Sequence, residues 1–257
     1  MSEFLQVKDI KVAYQTPDAE TQAVHNVSFS VQKGQFVSLV GPSGCGKSTI
    51  LSCMAGLMEY GGTILLCGQD IRRSRDKIGY MLQSDNLMPW RSIYRNVMLG
   101  LEVKKQMTAE NIEYVDGLLK KYDLWQFRNA FPNQLSGGMR QRAALIRTLA
   151  LRPQLLLLDE AFSALDYQTR VKVGCDVYGI LRSEGKTMVM VTHDIPEAVS
   201  MSDKAVVLSK RPATVQKEVS FDFGTEELSP VDRRGHPAFQ HYFNSIWREL
   251  TADEQTN

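Results

Sequence analysis

The chain has little excess charge, few cysteines and no long apolar run. Thirty basic residues against 29 acidic ones leave a formal net charge of +1. That balance gives no electrostatic footprint for nucleic acid or anionic lipid, so no nucleic-acid partner is expected. The four cysteines (Cys45, Cys53, Cys67, Cys175) form no C-x-x-C pair and no disulfide-dense pattern. A reduced setting is the expectation. No stretch approaches the ~18 apolar residues of a membrane span. The first residues, MSEFLQVKDIKVAY, carry acids and lack an apolar core, so no signal peptide is read there. Such a chain is expected to be soluble by itself and to reach a membrane only through a partner. Its 257 residues, 43% of them hydrophobic, suffice for a sizeable core.

Phe4 to Tyr14 and Val24 to Val31 read as strands. Phe36 to Val40 is a short buried strand running straight into a Gly-rich loop. Ser48 to Leu57 reads as a helix that stops near Gly61-Gly62. Thr63 to Leu66 and Ile78 to Leu82 read as further strands. From about Ser84 to Gln134 the character changes. Ile112, Val115, Leu118, Leu119 and Tyr122 recur at helical spacing, which predicts an inserted helical lobe. Leu155 to Leu158 is an apolar run ending in Asp159, suited to a parallel strand buried on both faces. Thr187 to Thr192 and Ala205 to Leu208 repeat the type, and Pro237 to Leu250 closes the chain as a helix. Alternating strands and helices predict an α/β fold with a mainly parallel core sheet.

Two Gly-rich segments each look like a helix start built to hold phosphate. Gly41-Pro42-Ser43-Gly44-Cys45-Gly46-Lys47-Ser48 fits G-x-x-x-x-G-K-[ST] at every fixed position, and Thr49 follows. Glycines let successive N–H groups converge on an anion, and the following helix adds its positive end. Lys47 can then reach the β and γ phosphates, and the Ser48 hydroxyl can bind Mg2+. Asp159 stands at a strand end, where a P-loop protein holds its magnesium. Glu160 can orient or deprotonate an attacking water. An ordinary exposed Asp-Glu pair would fit this spot without the P-loop. His193 ends another apolar run. Its imidazole can contact a γ-phosphate or a water, and a capping or core role fits the sequence equally.

The second segment is Ser136-Gly137-Gly138, before a helix from Met139 to Leu149 that carries Arg140, Arg142 and Arg147. Serine is a good N-cap, and a lone Ser-Gly-Gly is ordinarily no more than that. The full string Leu135 to Arg142, LSGGMRQR, is more specific. At these residues the chain resembles the nucleotide-binding subunit of ABC transporters, whose signature sequence LSGGMRQR is similar to. The resemblance runs from about residue 4 to residue 210. It implies roles residue by residue. Tyr14 matches the aromatic that stacks on adenine, and Gly41 to Thr49 match the Walker A loop. Gln83 matches the glutamine joining the metal site to the helical lobe. Asp159 and Glu160 match the Walker B aspartate and the catalytic glutamate, and His193 the switch histidine. Ser163-Ala164-Leu165-Asp166 match the segment facing the other subunit. Ala161 departs from the proline of many importers.

The resemblance further implies a RecA-like P-loop core with an antiparallel β subdomain and an inserted α-helical subdomain. Residues 1–83 and 136–210 would form the core with the β subdomain. The helical subdomain would start over about 84–135 and extend into the signature helix, and 211–257 would be a short extension. ATP and Mg2+ are the implied cofactors, with Lys47, Gln83, Glu160 and His193 catalytic and Ser48, Gln83 and Asp159 at the metal. Ser136, Gly137 and Gly138 would close over ATP held by a second copy of the chain. Permease subunits would dock near Gln83 to Arg91, where Leu87, Met88 and Trp90 make poor solvent-facing residues, at the cytoplasmic face of the membrane. A substrate-binding protein would act indirectly. LMPWRSIYRNVMLGL and the Arg-Pro tail look most like importers of the nitrate/sulfonate/taurine group. An exporter or lipid-transport ATPase, or a soluble non-transport ABC protein, remains the alternative.

Overall fold

The computed structural model describes residues 3–16, 19–163, 165–224 and 228–252. β1 (Leu5–Thr16) and β2 (Ala19–Val31) pair antiparallel, from Leu5 opposite Val31 to Thr16 opposite Ala19. β3 (Phe36–Val40) is buried at every residue and runs into α1 (Lys47–Met54) through the Gly-rich loop. β4 (Gly61–Leu66) and β5 (Gln69–Asp70) complete a four-stranded antiparallel sheet in the order β2-β1-β4-β5. β6 (Ile78–Met81) leads to three helices that pack together, α2 (Ile93–Val103), α3 (Ala109–Lys121) and α4 (Gly137–Leu149). β7 (Leu155–Asp159), α5 (Tyr167–Ser183), β8 (Thr187–Thr192), α6 (Ile195–Met201) and β9 (Lys204–Leu208) follow. β10 (Val215–Ser220), α7 (Pro230–Gly235) and α8 (Ala238–Ala252) end the described chain.

The second sheet has the order β10-β9-β3-β8-β7-β6. Its pairs are parallel except β9 with β10. The apolar runs explain this. β3, β7, β8 and β9 are buried throughout, so both faces need cover. One core lies between the two sheets and α1, with Ile10, Val27, Leu39, Ile50, Leu157 and Val191. A second joins the sheet to the helical lobe through Phe36, Val97, Leu119, Leu145, Leu158 and Tyr178. The strand order sets up the chemistry. β3, β8 and β7 are neighbours, so the chain leaving Val40, Thr192 and Asp159 emerges along one edge. Ligands of open parallel sheets bind outside the carboxyl ends of the strands.

Two of the elements without a counterpart in the sequence shape the rest of the fold. α5 carries Val171, Val173 and Val177 with Gly174 and Gly179, residues of low helix propensity. It forms because Asp166 caps it and because Val173, Val177 and Leu181 bury one stripe. β10 is an edge strand with Gln216, Lys217 and Glu218 exposed, and it brings the tail onto the core. A third core, with Val40, Val207, Phe223 and Ile246, fastens α8 there.

The segment after Gln83 is pinned rather than loose. Asn96 is fully buried on α2; its Oδ1 accepts from Met88 N (2.7 Å). Its Nδ2 donates to the carbonyls of Met88 (3.1 Å), Arg91 (3.0 Å) and Ser92 (3.1 Å). From α4, Arg147 donates to the carbonyls of Asp85 and Asn86 at 2.7 Å each. Asn96→Ala leaves these buried groups unpaired and is expected to cost about 1–3 kcal/mol. A lowered urea midpoint at unchanged slope is the check. An unchanged midpoint would mean the segment is held elsewhere.

Candidate functional site

The Gly-rich loop leaves β3 and wraps the start of α1. Gly46 adopts φ +122°, and a Cβ there would sit 3.0 Å from the Ala23 carbonyl oxygen, so no larger residue fits without strain. The first turn of α1 has no acidic residue and no side-chain cap, so its positive end stays available to an anion. Lys47 is buried, and its Nζ donates to the carbonyls of Gly41 and Pro42, each at 2.8 Å. Cys45 is buried beside it; burial pushes its thiol up, against the pull of the Lys47 charge. Pro42, Ser43 and Gly44 form the outer rim.

Ser48 and Asp159 meet although 111 residues separate them. The Ser48 hydroxyl donates to Asp159 Oδ1 at 2.8 Å, and the Tyr80 hydroxyl donates to Oδ2 at 3.2 Å. Burial raises the Asp159 carboxyl above its ordinary range, and the two hydroxyl bonds oppose that rise. Tyr80, on β6, was not singled out from the sequence; nothing marks it there beyond a position in a strand beside β7. Burial also pushes its phenol up to about 12, so it stays a donor.

Glu160 is held at φ +45°, in the left-handed region that a glutamate rarely adopts. Its N–H donates to the Val191 carbonyl (3.0 Å), and its own carbonyl accepts from the Ser163 amide (3.0 Å) and hydroxyl (2.9 Å). The turn aims the carboxylate at two partners. Oε2 lies 3.3 Å from His193 Nδ1 and accepts from Gln83 Nε2 at 3.3 Å. Gln83 also reaches Ser163 Oγ at 3.4 Å. Gln83 therefore faces Glu160 and Ser163 here, rather than the Ser48–Asp159 pair it was expected to join. His193 is half exposed and carries no core role.

Tyr14 stands where β1 passes α1. Its hydroxyl shares a hydrogen bond with Thr49 Oγ1 (2.8 Å), and the residue is 37% exposed. A cavity of about 200 Å3 beside the loop is lined by Ser43, Gly44, Lys47, Ser48, Glu160 and Arg211, among others. Arg211 escaped the motif reading because it lies in a connection after the last parallel strand. The fold delivers it: Ala213 N donates to Ala23 O (2.9 Å) and Ala213 O accepts from His25 N (2.8 Å), tying this connection to β2.

The second cradle stands apart. Ser136 is exposed and caps α4, its Oγ accepting from Met139 N at 3.4 Å. Gly138 packs so closely on α5 that a Cβ would come within 2.9 Å of Thr169 Cγ2. None of Ser136, Gly137 and Gly138 lines the cavity at the P-loop. Within one chain the structure does not bring the two cradles together. Downstream, Asp166 caps α5 through Thr169 N (3.1 Å), while Ala164 lies outside the described residues. Of the apolar trio after Gln83, Leu87 is buried in the lobe and Met88 half-buried; Trp90 is 74% exposed. Internal packing of the lobe, the other reading of these apolar residues, holds for Leu87, while Trp90 is left facing out.

A phosphate-binding loop, a serine–aspartate pair and a glutamate on one sheet edge define a P-loop nucleotide hydrolase, and the inserted lobe with its own capped Gly-Gly helix makes it an ATP-binding cassette. The comparisons agree. The sequence model of the family described as ABC transporter matches residues 24–163. An uncharacterized ABC transporter ATP-binding protein, YtlC of Bacillus subtilis, is 44% identical over 98% of this chain and 97% of its own length. The nitrate import ATP-binding protein NrtD of Synechocystis is 34% identical over 97% of this chain and 96% of its own. A solved dimeric post-hydrolysis structure of the ATP-binding cassette MJ0796, bound to ADP and Pi, superposes with a TM-score of 0.74 at 31% identity. It covers 86% of this chain and all of that one. The chain belongs to the ABC transporter family, as an ATP-binding subunit.

Proposed function

We propose that the chain is the ATP-hydrolysing subunit of an importer for a small anion of the nitrate/sulfonate/taurine class. The observation that carries the mechanism is the separation of the two cradles within one chain. Two copies, related by a two-fold axis, would each close Ser136 and Gly138 over the γ-phosphate held at the other's Lys47. The dimeric MJ0796 cassette, of the same fold, supports that arrangement.

The residues divide the work. Backbone N–H groups from Gly41 to Thr49 and the start of α1 hold the phosphates, and Lys47 turns to the β and γ oxygens. Tyr14, tethered through its hydroxyl, offers its ring to the adenine. Ser48, Asp159 and, once it turns from Glu160, Gln83 are an oxygen-only donor set that fits Mg2+. When bound, Mg2+ neutralises phosphate charge. Among the described residues no cluster of three or more His, Cys, Asp or Glu could hold a metal by itself, which suits an ion carried partly by phosphate. Glu160 accepts a proton from the attacking water, and His193 holds Glu160 and the γ-phosphate in line. Arg211 adds a cation at the rim of the cavity. Arg211→Ala is expected to weaken ATP binding by about three- to tenfold, the scale of one partly screened charge. Equilibrium dialysis checks this; unchanged affinity would remove Arg211 from the site.

Trp90 is the proposed anchor for a cytoplasmic helix of the permease, which places the subunit peripherally on the membrane. Among the described residues no helix is long and apolar enough to cross a membrane. Trp90→Ala should cut co-purification with the permease roughly tenfold or more, the effect of a hot-spot residue, and leave soluble ATPase activity intact. Equal loss of both would mean that Trp90 serves the fold. The import reading is tested by uptake: cells lacking the chain should lose ATP-dependent uptake of nitrate or an alkanesulfonate. Undiminished uptake of every such anion would contradict it.

A further inference from the structure

Arg170 lies in the first turn of α5, four residues after the Asp166 cap. Its guanidinium grips two segments at once. Nη2 donates to the carbonyl oxygens of Ser163 (3.3 Å) and Leu165 (3.0 Å). Nη1 lies 3.4 Å from Asp194 Oδ2. Ser163 belongs to the turn that shapes Glu160 and meets Gln83. Asp194 follows His193 directly.

The far end of this link is itself fixed. Asp194 Oδ1 accepts from Glu197 N (2.9 Å) and caps α6, while Asp194 N donates to Thr192 Oγ1 (3.0 Å). The Thr192 hydroxyl bonds the buried Glu197 carboxylate in turn. The backbone on both sides of His193 is thereby locked into one frame, and Arg170 joins that frame to the carbonyls of Ser163 and Leu165. The geometry needs a planar fork with donors pointing in two directions, which arginine supplies and lysine does not.

We propose that Arg170 is a positioning residue that ties the segment facing the second chain to His193, so that closure of the pair sets the His193–Glu160 geometry. This rests on the paired-site reading above. A shift of the Ser163 and Leu165 carbonyls on closure would be carried by Arg170 into the frame of Asp194 and so to the imidazole. Without Arg170, each chain still binds ATP, but closure no longer organises the water-facing groups.

The test uses the full chain with Arg170→Ala and Arg170→Lys. Turnover at saturating ATP should fall roughly tenfold or more, as misplacement of reacting groups does. Affinity for ATP should stay within about twofold, since ground-state binding is untouched. Lysine should not restore turnover. Amide exchange should rise together at Ser163 and Leu165 and at His193, Asp194 and Glu197, with α1 unaffected. Faster exchange at Ser163 and Leu165 alone, or turnover within about twofold of wild type, would overturn the proposal. If Arg170→Ala does not fold, Asp194→Asn keeps the cap and weakens the ion pair. It should lose turnover in the same direction, and full turnover there would overturn the link. The paired-site reading fails separately, if Ser136→Arg keeps wild-type turnover. If that variant is inactive and Arg170→Ala is active, only the Arg170 link fails.

Discussion

Glu160→Gln is expected to lower ATP turnover by about 10²–10⁴-fold, the scale of a lost general base, and to leave ATP bound. The substitution keeps the shape of the side chain and removes its ability to take a proton. The backbone that aims it is held by Val191 and Ser163, not by the carboxylate, so the left-handed turn survives. The hydrogen bonds of Lys47 and the Ser48–Asp159 pair lie outside the change. Binding should therefore be unaltered. Trapped ATP should also hold two chains together, because hydrolysis is what removes the γ-phosphate that both touch. Phosphate release, equilibrium dialysis and gel filtration with ATP give the three readouts. Turnover within about tenfold of wild type would take the general-base role away from Glu160.

Ser136→Arg should abolish hydrolysis with equally little effect on ATP binding. Ser136 is exposed and far enough from its own P-loop cavity to line none of it. The change should therefore leave the local nucleotide alone. Its structural cost is the loss of the α4 cap, about 1 kcal/mol, which for a chain of this size lowers the melting temperature by only about 2–4 °C. Complete loss of turnover is much more than that cost explains. It follows if an arginine at 136 blocks the face that must close on the partner's γ-phosphate. Loss of ATP binding by the lone chain would instead place Ser136 in the local site.

The chemistry-bearing strings were legible because each is local. Gly41 to Thr49 form one continuous loop and helix start, and the strand ending at Asp159 is a run of leucines that announces its own burial. The order of the parallel sheet then brings Val40, Asp159 and Thr192 to one edge, which no local pattern states. Glu160 could be named from its place after Asp159. Its left-handed backbone could not, since hydrogen bonds to Val191 and Ser163 impose it against propensity. α5 was hidden by its valines and glycines, whose cost is offset by tertiary burial. Arg211 was hidden because a long-range tie to β2 carries it to the cavity. Among Leu87, Met88 and Trp90 the apolar character was readable but the direction was not; the bonds of Asn96 decide the path of that segment.

Mixing two inactive variants tests the split site most directly. Lys47→Ala lacks the phosphate lysine, and Ser136→Arg lacks the capping face. A mixed pair contains one doubly defective site and one site with both halves intact. With free exchange of chains, half of the pairs are mixed and each has one working site of two, so roughly a quarter of wild-type ATPase activity should return. A mixture as inactive as its separate components would contradict the claim that each nucleotide is held by one chain and capped by the other.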